Sequence, residues 1–143
     1  MSTEFTPQDQ ARFERMLDLS VRASDTELFQ GIGGALPDVQ RRQLAEAQGI
    51  LPGKLVDVGR YFFNSIQGSL HTFICVRTNY CQKKSTFESV FDLMGFVERA
   101  VIEALAQSHG LPPDFVRPGS ELVSKLVAKL VRTGLNSLCE CPD

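Results

Sequence analysis

Lys54-Leu-Val-Asp-Val-Gly-Arg-Tyr-Phe-Phe-Asn-Ser-Ile-Gln-Gly-Ser-Leu-His-Thr-Phe-Ile-Cys-Val-Arg-Thr-Asn79 is the stretch whose reading decides the fold. Its second half, His71-Thr-Phe-Ile-Cys-Val-Arg-Thr78, is rich in β-branched and aromatic residues that suit a pleated surface. Periodicity points the other way. Leu55, Val58, Phe62, Ile66, Leu70, Phe73 and Arg77 follow steps of 3, 4, 4, 4, 3 and 4, so one helical face persists across Gly59 and Gly68. A strand here would have no obvious partner elsewhere in the chain. The reading is one long helix with Gly68 as the place for a kink, and a short strand over 71–78 as the alternative.

Working outward, the flanking segments also read as helices. Thr6-Pro7-Gln8-Asp9 combines a capping hydroxyl, a first-turn proline and an acid, which opens a helix over about 7–22. Ser24-Asp-Thr-Glu27 has capping-box spacing, and the helix it starts is expected to end at Gly31-Ile-Gly-Gly34, since glycine opposes helix. Pro37-Asp38 begins a third helix that Gly49 stops. Ser85-Thr-Phe-Glu88 is a second capping box. Behind it Phe87, Val90, Phe91, Met94, Val97, Val101, Ala104 and Leu105 form the clearest apolar stripe, closed by His109-Gly110. The proline-punctuated link 111–119 cannot stay helical, and Ser120 caps a last helix reaching about Leu138. The expectation is a single all-α domain, a compact bundle of about five to six helices, with 1–5 and 139–143 as flexible ends.

Composition narrows the function. The 143 residues carry 15 basic and 17 acidic side chains, not the footprint of a protein that neutralises many phosphates, so nucleic acid is not expected as a partner. No apolar run approaches the roughly 18–20 residues of a bilayer span, and the N-terminus has no basic and apolar leader pattern, so no membrane partner is expected either. On that reading the protein is cytoplasmic and its four cysteines, Cys75, Cys81, Cys139 and Cys141, are reduced thiols.

Two sets of residues carry candidate chemistry. His71 and Cys75, four apart, share a helical face, Cys81 follows one segment later, and Cys139-Glu-Cys141 stands on an end able to fold back. Zinc accepts such thiolate and imidazole ligands, although C-x5-C and C-x-C are not the usual finger spacing. No cofactor is expected, with zinc at His71, Cys75 and Cys81 as the alternative. Further alternatives are C-x-C thiol exchange, haem at His71, which has no supporting residues around it, and a Cys75 or Cys81 nucleophile, for which Arg77, Lys83 and Lys84 are the cations near Cys81. The glycines of Gly31–Gly34 have neither the strand nor the Lys-Ser/Thr of a phosphate loop. No H-E-x-x-H or G-x-S-x-G motif occurs, so an enzyme is not the favoured reading.

The second set is surface. Tyr61 and Phe63 beside Phe62, and Leu93 and Phe96 off the main stripe, give two helices more apolar face than one packing contact uses. Lys125, Lys129 and Arg132 form a basic face on the last helix. Together these point to a non-catalytic protein-interaction or regulatory module, such as an adaptor, a regulatory subunit or an inhibitor, that meets a protein partner or a second copy of itself. The metal- or small-ligand-binding helical protein is the alternative.

Overall fold

The computed structural model describes residues 5–108 and 110–142. Among them the chain forms α1 (Pro7–Arg22), α2 (Asp25–Ala35), α3 (Asp38–Gln48), α4 (Leu55–His71), α5 (Tyr80–Lys83), α6 (Val90–Ser108), α7 (Glu121–Thr133) and α8 (Leu135–Leu138), and no strand. The all-α expectation holds, with short helices α5 and α8 added to the longer ones. His109, expected to close α6, lies outside the described residues.

Local signals set several helix starts. Thr6 and Asp9 exchange both bonds of a capping box, as do Ser24 and Glu27. The box read at Ser85 does not form the start of α6. Residues Lys84–Thr86 make one 3-10 turn, and α6 is capped one turn later, where the Ser89 hydroxyl accepts from the Asp92 N–H and the Asp92 carboxylate accepts from the Glu88 N–H.

The decisive stretch is helical throughout. α4 buries Val58, Phe62, Phe63, Ile66 and Leu70, each contributing roughly 1.5–3 kcal/mol by leaving water. It then widens into a π-helix over Thr72–Arg77. Phe73 and Ile74 are both buried in this segment. The Thr78 hydroxyl ends the segment by donating to the carbonyls of Phe73 and Ile74, at 2.7 and 2.8 Å.

α2 overrides its glycines. It continues to Ala35, because Gly33 and Gly59 form the place where α2 and α4 touch backbone to backbone. A Cβ on Gly33 would stand 2.1 Å from the Leu55 carbonyl oxygen, and one on Gly59 would stand 1.8 Å from that of Phe29. The glycine cluster is therefore a contact surface within a helix and not its terminus. α6 and α7 complete the core with Met94, Val97, Val101, Leu105, Leu122, Leu126 and Leu130.

The C-terminal end also departs from expectation. Gly134, at φ 98°, breaks the last helix after Thr133, and α8 folds the tail back. Glu140, at φ 50°, occupies the left-handed position, with the Cys141 N–H on the Asn136 carbonyl at 3.0 Å and the Glu140 N–H on that of Ser137 at 3.3 Å. This is a Schellman end with Glu140 where glycine is usual. Residues 139–142 are thus a docked turn and not a free end.

Candidate functional site

The fold brings the four cysteines together. The π-helix carries Cys75, α5 carries Cys81, and the tail carries the other two. Cys75 is bonded to Cys139 and Cys81 to Cys141, each pair with Cα atoms 5.3 Å apart. The expectation of reduced thiols is corrected by this pairing, whose physical cause is the folding back of α8. Leu135 is buried at the α8 start, and the Tyr80 hydroxyl donates to Asn136 Oδ1 at 3.0 Å, with Lys84 Nζ at 3.4 Å from the same oxygen. Burial raises the Tyr80 pKa above the usual phenol value. Asn79, at φ 56°, turns the chain between the π-helix and α5, so that Cys81 also faces the tail. His71 is exposed at the end of α4. The proposed His71, Cys75 and Cys81 set is not a ready site: among the described residues no three such side chains stand prepared to hold a metal ion.

Of the basic residues of α7, Lys129 turns inward, while Lys125 is half-buried and Arg132 stays exposed. Lys129 is only 8% exposed; its ammonium lies 4.9 Å from the Phe29 ring centroid and 3.1 Å from Asp25 Oδ1. Arg132 donates to the same oxygen at 3.0 Å, and to the Ser20 carbonyl near the end of α1. Lys125 pairs with Glu121 at 3.8 Å and packs along Gly31. These side chains join α7 to α2, so the basic face read from the sequence as a partner surface packs in part against this chain's own helix. The Lys129 ammonium, and to a lesser degree Arg132, hold the Asp25 carboxyl below the usual carboxylate value. A depressed native pKa stabilises the fold fully above the unfolded carboxylate range, and the contribution is lost as pH falls through the native value. Asp25→Asn should therefore lower stability at neutral pH by on the order of 1 kcal/mol or less, since Asp25 itself is exposed, and urea denaturation reads it as a lower midpoint. In strong acid the variant and the parent should coincide.

The aromatic residues separate. Phe63 is in the core, with its ring centroid 6.0 Å from that of Phe29. Tyr61 is 39% exposed on the outer side of α4, and Leu93 is half-buried against the core. Phe96 is half-buried in a chain of rings, 5.2 Å from Phe87 and 6.2 Å from Tyr80.

Phe96 opens onto a site whose other members the sequence reading missed. Gly95 leaves a notch in α6, and the Phe5 ring lies in it, at 3.0 Å from where a Cβ would be and edge-on to Phe13 with centroids 5.0 Å apart. A cleft of about 450 Å³ lies on one side of this ring, lined by Phe13, Glu98 and Ile102 among others. A second of about 330 Å³ lies on the other, lined by Lys83, Phe87 and Phe96. Phe5, Gly95 and Arg99 border both. Arg12 and Glu98, at the base of the larger cleft, neutralise each other through two bonds of 2.7 and 2.9 Å. Hydrogen bonding to Glu98 raises the Arg12 pKa above its usual value, while Arg12 in turn lowers that of Asp9. Arg99 is exposed, makes no ion pair among the described residues and borders both clefts, whereas Lys83, also exposed, lines the smaller one only. A lone glycine inside the strongest apolar stripe was the signal for this notch; the placement of Phe5 and Arg99 left none.

No described helix is long and apolar enough to cross a membrane. No family model, curated protein or solved structure matches this chain.

Proposed function

We propose that this protein is a non-catalytic binding module that takes a short peptide segment of a protein partner along α6. The segment inserts an aromatic or aliphatic side chain beside Phe5 and Phe96 and sets a carboxylate on Arg99. The observation that carries this reading is the pair of clefts meeting at Phe5 over Gly95, with the rings of Phe5, Phe13, Phe87 and Phe96 in walls that also carry charged side chains, and with Arg99, which makes no ion pair among the described residues, bordering both. Such a site has the apolar anchor and polar rim of peptide-recognition surfaces. The paired cysteines favour an oxidising working environment over the cytoplasm expected from the sequence, since disulfides persist where thiols are not held reduced.

Panning a displayed peptide library on the oxidised protein tests this. Enriched peptides should share an apolar residue next to an acid, and Arg99→Glu should weaken them about tenfold or more. Arg99 is exposed, so the variant should keep its fold. Failure to enrich any peptide, or equal binding to Arg99→Glu, would refute the reading. A dimer that the same substitution dissociates would make the partner a second copy of this chain.

A further inference from the structure

We propose that Cys75, Cys81, Cys139 and Cys141 form a second, alternative site: a tetrathiolate centre that holds one zinc ion when both disulfides are reduced. The inference stands apart from peptide binding on α6. It rests on how the tail is held. Leu135 is buried, Leu138 and the four cysteines pack against the core, Asn136 is bonded to Tyr80, and the Schellman turn closes around Glu140. None of these contacts requires a bond between sulfurs, so the π-helix, α5 and the tail keep the four side chains in one patch after reduction.

The geometry suits the ion. Zinc binds thiolates at about 2.3 Å, which puts the sulfurs of a tetrahedral site roughly 3.8 Å apart. Cysteines whose Cα atoms are 5.3 Å apart reach that separation by side-chain rotation. The two pairs adjoin, since the Cys81 sulfur lies 3.8 Å from the Cys139 carbonyl oxygen. Glu140 in the left-handed conformation turns Cys139 and Cys141 toward the two cysteines of the helical side. Four thiolates around one divalent ion carry a net charge of −2 by simple count, and Lys84, on the same Asn136 oxygen as Tyr80, supplies a cation at the edge.

The chemistry balances. Two equivalents of a dithiol reductant deliver four electrons and four protons, convert both disulfides to four thiols, and are themselves oxidised to disulfides. Binding one zinc ion then releases the four thiol protons. Once the ion is lost, two equivalents of a small-molecule disulfide oxidise the four thiols back to two disulfides by thiol exchange and are themselves reduced to thiols. His71, exposed at the end of α4, is not a ligand in this assignment.

Cobalt titration of the chain kept reduced by a phosphine tests it, because tetrahedral thiolate coordination gives cobalt intense visible bands and a sulfur-to-metal charge-transfer band. One cobalt ion per chain with a four-thiolate spectrum is expected, displaced by one equivalent of zinc. Cys139→Ser/Cys141→Ser should lose more than about 100-fold in affinity, beyond the usual cost of outer contacts around a metal, and His71→Ala should bind as the parent does. Circular dichroism covers the case in which the reduced chain loses helix: helix regained on adding zinc supports the site. An absent spectrum with no regained helix, metal binding that survives the double substitution, or loss of binding in His71→Ala would overturn it.

Discussion

Gly59→Ala should unfold the protein at a denaturant concentration far below the parent's, with a loss of about 3 kcal/mol or more. The added methyl would sit 1.8 Å from the Phe29 carbonyl oxygen, 2.7 Å from its carbon and 2.9 Å from the Gly33 nitrogen. All three are backbone atoms, so no side chain can swing aside. Relief requires α2 and α4 to separate by more than an ångström. That would open the layer around Ile32, Val58, Phe62 and Phe63 and forfeit the dispersion contacts that depend on close approach. Gly33→Ala meets the Leu55 carbonyl oxygen at 2.1 Å and should behave alike. Gly68 lies on the exposed side of α4 with nothing within 4 Å of a Cβ. Gly68→Ala should therefore stabilise by roughly 0.5–1 kcal/mol, through the helix preference of alanine. Urea denaturation followed by circular dichroism, with the disulfides intact, measures all three. Equal behaviour of Gly59→Ala and Gly68→Ala would contradict the close crossing.

Arg12→Met should cost about 3–5 kcal/mol, because it strands the Glu98 carboxylate, whose side chain is 6% exposed, without its partner. The pair joins α1 to α6 across 86 residues of sequence, and burial makes the orphaned charge expensive. Removing both charges together tells a different story. Arg12→Met/Glu98→Leu leaves no uncompensated buried charge, the half-exposed Asp9 keeping its bonds to Thr6, and should recover most of the loss, ending within about 1–2 kcal/mol of the parent. The double-mutant cycle thus isolates the coupling. A double variant as unstable as Arg12→Met would mean that the ion pair matters through its shape and not through its charge.

Helical periodicity was legible wherever a buried face repeats along one segment, which is why 54–79 could be read against its strand-favouring composition. What failed to show were features made by distant segments. The glycines of α2 read as a stop because local propensity counts their entropy cost, whereas their contact with Gly59 is tertiary. The break at Gly134 and the turn at Glu140 let the tail return, and only that return pairs the cysteines. The inward turn of Lys129 was hidden for the same reason: an amphipathic stem laid over Phe29 looks, in sequence, like any exposed lysine. Of the proposed binding face, Phe96 is legible because it falls off the main stripe. Phe5 lies 90 residues away in sequence from the notch it fills.

The binding face is tested most directly by amide chemical-shift mapping of the oxidised, isotope-labelled protein with a peptide selected on it. Shifts concentrated at Phe5, Gly95, Phe96 and Arg99, absent around Tyr61 on the outer side of α4, are what the account predicts. Perturbation centred on Tyr61, or spread evenly over the surface, would contradict it.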